Sequence, residues 1–144
     1  MMPSRPKGFT LLELMIVVVI IAILTALAVY NYGRYGYRSR RSDAQDFLHQ
    51  IASAEERYYS NHNVYTTTLA DIGITSNVSP RNFYTVAVAN GPTGDTASYI
   101  LTATPQAGLP QSGDIWCSTL SLDSRGAKVP APGTAVVPGN GSCW

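Results

Sequence analysis

Residues 8–30 read GFTLLELMIVVVIIAILTALAVY, a strongly apolar stretch with one charged side chain, Glu13, near its start. As an α-helix rising about 1.5 Å per residue, residues 9–30 would be about 33 Å long. The hydrocarbon core of a bilayer is about 30 Å thick. The stretch therefore predicts a helix that spans a membrane.

Such a helix has two ordinary interpretations, a secretory signal and a plain membrane anchor. A secretory signal has an apolar region of about 7–15 residues that ends at a small-residue cleavage site. Here the run is longer, and Ala26 and Ala28 are followed by tyrosines and arginines. A plain membrane anchor does not explain Glu13, because a carboxylate inside a bilayer costs about 2.5–3.5 kcal/mol on insertion scales. The acid therefore indicates a function beyond anchoring.

The start of the chain resembles the cleavage and assembly motif of type IV prepilins. The resemblance lies in the basic leader MMPSRPK, then Gly8, Phe9 and Glu13, then the long apolar run. It implies that a prepilin peptidase cuts after Gly8 and N-methylates the new N-terminus at Phe9. The leader would then be residues 1–8.

The same resemblance divides the rest of the chain and sets its location. Residues 9–32 would form the transmembrane and filament-core helix, and residues 33–144 the periplasmic or extracellular globular domain, which includes the continuation of the helix. The subunit would wait in the bacterial inner membrane, with a single span, before it enters an extracellular pilus. A count of flanking arginines alone would place the body in the cytoplasm; the motif takes precedence over that count.

Glu13 acquires a specific role in this scheme. Cleavage creates an amine at Phe9, and the acid of an incoming subunit can pair with the amine of its neighbour. Both charges are then compensated in a medium where an isolated charge is expensive. The implied partners are other pilin subunits, the peptidase, and an inner-membrane assembly platform with its ATPase.

Beyond the apolar run, residues 39–60 show a helical pattern that predicts a continuation of the first helix. The apolar stripe that would press on a sheet comprises Phe47, Leu48, Ile51, Ala54 and Tyr58. Much of the polar surface is assigned to Arg41, Asp43, Gln45, Asp46, Gln50, Glu55 and Glu56. Asn61, His62 and Asn63 should end the helix.

Four strands are predicted after the helix. They cover residues 83–89, 98–104, 115–122 and 127–129, joined by turns rich in glycine, asparagine and aspartate. Strands that follow a long helix and are joined by short turns imply an antiparallel sheet packed on that helix. The fold class is α+β, a pilin fold. The last stretch, residues 130–140, should be irregular.

Cys117 and Cys143 lie in the last quarter of the chain. A disulfide is the natural interpretation if the domain is exported, and loop closure makes it worth about 3–4 kcal/mol. Two free thiols in a cytosolic protein are the alternative, against which the membrane segment argues. The resemblance implies that this bond encloses the variable C-terminal region of pilins.

No catalytic, metal or cofactor site is indicated. His49 and His62 have no ligand spacing, and the adjacent Glu55 and Glu56 do not face each other on a helix. The net charge is +1, so nothing in the overall charge points to nucleic acid. The chain is predicted not to be an enzyme.

Within the family, a minor pilin of a type IV pilus is favoured, because residues 58–73 are similar to PilE-type minor pilins. The sequence does not decide whether the pilus functions in twitching, adhesion or DNA uptake. A pseudopilin of type II secretion is one alternative, with Asp114 and Asp123 as the acids near a family calcium site. A DNA-binding competence pilin is another, and its cations would be Arg40, Arg41, Arg57, Arg81, Arg125 and Lys128.

Overall fold

The computed structural model describes residues 8–92, 94–130 and 142–144. Its first element is a long helix, α1, which runs from Leu11 to His62. The chain divides into two compact units, Met1–Arg34 and Tyr35–Trp144, which are described separately below. Most of the leader predicted at residues 1–8 lies outside the described residues.

The N-terminal unit contributes the apolar part of α1. The segment Leu11–Val29 is long enough and apolar enough to cross a membrane, by length and composition. Its valines and isoleucines are only moderate helix formers in water. In hydrocarbon the backbone must satisfy its own hydrogen bonds, so a helix is the conformation that this composition adopts there.

In the C-terminal unit, the second part of α1 packs on a sheet through the predicted stripe. Phe47, Leu48, Ile51 and Ala54 are buried, and Tyr58 is half-buried at the end of the stripe. Their partners in the core come from alternate positions of the sheet: Tyr84, Val86, Tyr99, Leu101, Ala103, Leu120 and Leu122. The helix-on-sheet prediction is confirmed.

The sheet has four strands: β1 (Tyr84–Asn90), β2 (Tyr99–Pro105), β3 (Leu120–Asp123) and β4 (Lys128–Val129). They pair antiparallel in the order β1-β2-β3-β4. Side chains on β2 alternate between buried and partly exposed, as expected for a sheet with one face on a core. Short 3-10 helices occupy Leu69–Ile72, Asp95–Ala97 and Pro110–Gly113.

The helix ends where the asparagine-rich signal predicted. Asn63 has a positive φ of 57°, and its backbone N–H donates to the carbonyl of Tyr59 at 2.7 Å. Asparagine tolerates this left-handed conformation better than most residues do. The chain then leaves the helix axis and turns back toward the sheet.

The third strand was predicted too long. Residues 115–122 were assigned to it, but β3 begins only at Leu120. Residues 114–117 form a turn, in which the N–H of Cys117 donates to the carbonyl of Asp114 at 3.2 Å. Asp114 and Cys117 are both buried and bound elsewhere, so this segment is held away from β2.

The predicted polar face of α1 is also partly wrong. Arg41, Asp43 and Glu55 were assigned to the surface, and all three are buried. Arg41 and Asp43 have hydrogen-bond partners far along the chain, which compensate for the loss of water. Glu55 accepts from the N–H of Thr66 through Oε2, whereas its buried Oε1 has no hydrogen-bond partner within the described part of the chain. Residues 131–141, which carry most of the stretch predicted to be irregular, lie outside the described residues.

Candidate assembly site

The predicted processing and assembly residues lie at the start of α1, where they are exposed. Gly8 and Phe9 precede the helix, and Thr10 caps it. The Thr10 hydroxyl oxygen accepts from the N–H of Glu13 at 3.2 Å, and the Thr10 carbonyl accepts from the N–H of Leu14 at 3.2 Å. This is the first half of a capping box. Thr10 was not among the predicted site residues, although Thr-x-x-Glu before an apolar run is the sequence signal of such a cap.

Glu13 lies in the first turn of α1 and is exposed. Within the described part of the chain its carboxylate has no hydrogen bond or ion pair. The neighbouring side chains Leu12 and Leu14 are apolar and exposed as well. Any partner that compensates this charge must therefore come from outside the described residues, whether from solvent, a lipid or another molecule.

The apolar side chains after Glu13 form an uncovered surface around the helix. Residues 8–29 are all exposed, and the large hydrophobic side chains among them are 48–84% exposed. A contiguous apolar surface of this kind marks a membrane or protein contact. The only polar side chain between Leu14 and Val29, Thr25, is satisfied internally, since its hydroxyl donates to the carbonyl of Ile21 at 2.7 Å.

In the globular unit, one cluster joins α1 to the C-terminal segment. We call it the C-terminal clasp: Arg41, Gln45, Asp114 and the Cys117–Cys143 disulfide. Arg41 makes a bidentate ion pair with Asp114, at 2.7 Å from Nε to Oδ2 and 2.9 Å from Nη2 to Oδ1. Both side chains are 1% exposed.

The same cluster holds the chain end that carries the disulfide. Arg41 Nη1 donates to the carbonyl of Ser142 at 3.2 Å, and Gln45 Nε2 donates to the carbonyl of Cys143 at 2.9 Å. Cys117 and Cys143 are buried and bonded to each other. The predicted disulfide-bounded C-terminal region is therefore present, and α1 is fastened to it one helical turn apart, at positions 41 and 45.

A second cluster fixes the loop that follows α1. Glu55 Oε2 accepts from the N–H of Thr66 at 3.2 Å, and Glu56 accepts from the hydroxyls of Tyr65 and Tyr99. Burial raises the pKa of Glu55 most; the Thr66 N–H works against it, and Glu56 adds a smaller increase. Burial and the Glu56 carboxylate raise the pKa of Tyr65 to about 12. These groups act as a fixed structural clamp.

The acids considered for a calcium site are already engaged. Asp114 holds Arg41, and Asp123 accepts from the backbone N–H groups of Arg125 and Ala127 and from the Arg125 guanidinium. Hydrogen bonds from Ala127 and Arg125 outweigh desolvation and lower the pKa of Asp123. Across the described ranges, no group of three or more His, Cys, Asp or Glu side chains could hold a metal ion.

The cations considered for DNA binding do not all reach the surface. Arg41 is 1% exposed and pairs with Asp114, so it cannot contact a phosphate. Arg57, Arg81 and Arg125 are exposed. The histidines lie on the surface: His62 stacks on Tyr58 and His49 meets the edge of Trp144. Lys128 lies over the Trp144 ring.

Comparison with known proteins shows the family of this chain. The sequence family described as "Type IV minor pilin ComP, DNA uptake sequence receptor" matches residues 31–121, and the prokaryotic N-terminal methylation motif matches residues 3–29. The chain belongs to the type IV pilin family. A solved type IV pilin from Shewanella oneidensis has 32% sequence identity and a TM-score of 0.53, over 75% of this chain and 97% of that one.

Curated relatives lead to the same family. The type IV major pilin protein PilA of Myxococcus xanthus is 38% identical over 87 residues, which is 60% of this pilin and 40% of PilA. The type IV major pilin protein PilE of Neisseria gonorrhoeae is 38% identical over 92 residues, 62% of this pilin and 55% of PilE. The chain thus spans about half the length of the curated relatives that it matches.

The family assignment makes this chain a type IV pilin-family subunit and confirms the pilin fold. The methylation motif covers Gly8, Phe9 and Glu13, and the long apolar helix supports membrane anchoring and a place in a filament. The predicted likeness to PilE is supported. Cleavage, methylation and the role of Glu13 stay predictions.

Proposed function

We propose that this pilin is made as a membrane-anchored precursor, trimmed after Gly8, methylated at Phe9, and incorporated as a minor subunit into a type IV pilus. A prepilin peptidase performs the trimming, and an assembly platform with its ATPase moves the subunit from the inner membrane into the filament. Residues 9–32 act as the anchor and filament core, and residues 33–144 as the exported body.

One observation carries this proposal. An uncovered apolar helix displays a single acid, Glu13, which has no partner within the described part of the chain. A bilayer satisfies the apolar surface but not the acid. A filament of like helices satisfies both, because the neighbouring helix surfaces bury the apolar side chains and the new amine at Phe9 compensates the carboxylate.

The minor status rests on a different observation. The family that matches residues 31–121 is described as a minor pilin, while the curated relatives PilA and PilE are described as major pilins. We give more weight to the family description because it covers most of the globular unit. The abundance of this chain in sheared filaments tests the minor status: a minor pilin should be much less abundant there than the principal subunit.

The experiment compares two single substitutions in the apolar helix. Glu13→Ala should leave the cut after Gly8 and membrane insertion intact and should lower the amount of subunit in sheared filaments at least tenfold. Thr25→Ala is the matched control, since the Thr25 hydroxyl is satisfied within its own helix, and it should enter filaments normally. Equal incorporation of both variants would remove the proposed role of Glu13.

Mass spectrometry of the wild-type subunit from the same filaments tests the processing steps. The expected N-terminus is a methylated Phe9, with two hydrogens missing for the disulfide. A subunit that retains residues 1–8 in the filament would contradict the proposal, whatever Glu13→Ala does.

DNA reception is a second candidate function, favoured by the description of the matching family as a DNA uptake sequence receptor. The exposed arginines of the body would supply the phosphate contacts. The purified full-length chain should then bind duplex DNA with an affinity that falls steeply as salt is raised. Unchanged affinity after substitution of Arg57, Arg81 and Arg125 to glutamine would sink this candidate.

A further inference from the structure

The start of the globular unit carries a surface that the assembly role does not use. We call it the arginine patch: Arg40 and Arg81, with the rings of Tyr37 and Phe83. Arg81 is exposed and Arg40 is partly exposed. Arg40 belongs to α1, whereas Arg81 comes from the loop before β1.

The patch is built by fixed contacts between that loop and the helix. Buried Asp43 accepts from the Ser79 hydroxyl at 2.6 Å and from the N–H of Arg81 at 3.1 Å. The guanidinium of Arg81 reaches back to the carbonyl of Ser39 at 3.4 Å. The backbone that carries Arg81 is therefore held against α1.

The two guanidinium groups of the patch share one aromatic ring. The guanidinium carbons of Arg40 and Arg81 lie 5.4 Å and 5.9 Å from the centre of the Phe83 ring, and Arg40 also lies 5.8 Å from that of Tyr37. Cation–π contacts at these distances hold the side chains in place without neutralising them. Like charges brought close together raise the affinity of the patch for an anion.

The carboxylates of the described chain leave the patch positive. The ion pairs found there join Arg41 to Asp114 and Arg125 to Asp123, and neither involves the patch. Asp43 lies beneath it and offsets one of the two charges. A net positive charge of about one is left facing solvent.

The short stretch of chain between the membrane-spanning segment and the patch limits which anions the patch can reach. Arg40 follows Val29, the last residue of the segment apolar enough to span a membrane, by eleven positions. Eleven residues span at most about 40 Å in any conformation, and about 17 Å as a helix. The patch is thus tethered close to the headgroups of the membrane that holds the anchor, where their local concentration is high.

We propose that the arginine patch binds the phosphate groups of anionic phospholipids while the subunit is stored in the membrane, and so holds the body against the headgroup surface. The proposal rests on the membrane-anchored stage of the proposed function. An arginine near an anionic membrane surface gains about fivefold in binding, so Arg40 and Arg81 together contribute about 25-fold. Guanidinium groups suit phosphate because they donate paired hydrogen bonds.

The test uses the full-length chain in lipid nanodiscs of pure phosphatidylcholine or with 30% phosphatidylglycerol. Phenylglyoxal modifies accessible arginines, and mass spectrometry measures the rate at each one. In the anionic discs, Arg40 and Arg81 should react at least threefold more slowly, and 0.5 M salt should abolish the difference. Arg57 and Arg125, also in the body but outside the patch, should react equally in both discs.

Two further arms separate the sources of phosphate. Inorganic phosphate at 10 mM, added to the phosphatidylcholine discs, should protect little; full protection would replace the lipid with a free anion. Duplex DNA that protects the patch when phosphatidylglycerol does not would overturn the proposal in favour of the nucleic-acid candidate. A chain that does not enter discs of either composition would contradict the membrane-anchored stage itself.

Substitutions complete the test by native mass spectrometry of lipid that remains bound in detergent. Arg40→Gln with Arg81→Gln should lower the ratio of bound phosphatidylglycerol to phosphatidylcholine about 25-fold. Arg57→Gln with Arg125→Gln removes the same charge elsewhere and should leave the ratio unchanged. Arg40→Lys with Arg81→Lys keeps the charge and should retain most of the preference. An equal loss in both glutamine pairs would leave only nonspecific charge attraction and refute the patch.

Discussion

Arg41→Met gives the sharpest test of how the globular unit is held together. The substitution keeps an unbranched side chain about as long as the aliphatic part of arginine, but removes the guanidinium that pairs with Asp114 in the C-terminal clasp. It leaves a carboxylate that is 1% exposed, with Gln111 as its nearest remaining donor, at 3.0 Å. The Ser142 carbonyl loses a donor as well.

The expected loss follows from that geometry. Breaking a buried ion pair by removing one partner costs about 3–5 kcal/mol, because the other charge remains buried without compensation. Asp114→Leu, which leaves the buried guanidinium instead, should cost a similar amount. The double variant leaves no isolated charge and should cost at most about 2 kcal/mol, so the coupling energy between the two sites should exceed about 4 kcal/mol.

The chain supplies its own control and its own probes. Arg125 pairs with Asp123 at 3.0 Å, but its side chain is 71% exposed, so Arg125→Met should cost less than about 1 kcal/mol. The two tryptophans of the sequence, Trp116 and Trp144, each lie next to a cysteine of the disulfide. Their fluorescence therefore reports unfolding of the globular unit by denaturant, with the full-length oxidised chain in detergent.

Two results would refute this reasoning. If Arg41→Met and Arg125→Met lose the same free energy of unfolding, burial does not set the strength of the clasp. If the double variant loses the sum of the two single losses, Arg41 and Asp114 act independently, and the ion pair is not what joins α1 to this loop.

Two further predictions concern Glu55 and the disulfide. Because burial raises the pKa of Glu55 above its usual 4.5, the folded state binds its proton more tightly than the unfolded state does, and folding stability falls as pH rises through the folded-state value. In thermal unfolding, Glu55→Gln should therefore be more stable than wild type at pH 7 and equal to it below pH 4.5; a constant difference at every pH would contradict this. Replacing Cys117 and Cys143 with serine should lower the free energy of unfolding by about 3.5 kcal/mol, the loop-closure value for a separation of 26 residues, in the same denaturant assay. A loss below about 1 kcal/mol would mean that the other clasp contacts already restrict this loop.

The sequence could predict whatever depends on local pattern. The uncharged run fixes the anchor by length, and the stripe from Phe47 to Ala54 repeats at helical spacing and is buried as expected. The first two strands were predicted within one residue at each end, since β-branched and aromatic residues between turn signals mark them.

What the sequence could not predict depends on distant partners. Arg41 is buried because it pairs with Asp114, which lies 73 positions further along. Asp43 is buried because it binds Ser79, 36 positions away. No periodicity within the helix contains that information, so both residues resemble ordinary polar surface. The overlong third strand has the same cause, because Asp114 and Cys117 bind outside the sheet.

At the assembly site, the sequence identified Gly8, Phe9 and Glu13 through a motif, whereas Thr10 was missed. Its role as a cap needs only the neighbouring sequence and was within reach. The arginine patch could not be predicted from the neighbouring sequence. Arg40 and Arg81 are separated by 41 positions and meet only because Asp43 holds the loop of Arg81 against α1.

The positions of the contacts on α1 have a mechanical consequence. In a filament held together by its helices, a pull along the axis enters the globular unit at Tyr35, where that unit begins. The first strong attachments beyond that point, at Arg41, Asp43 and Gln45, join the helix to three distant parts of the chain. They would bear such a load together, in shear, before it reached the apolar contacts between Phe47 and the sheet.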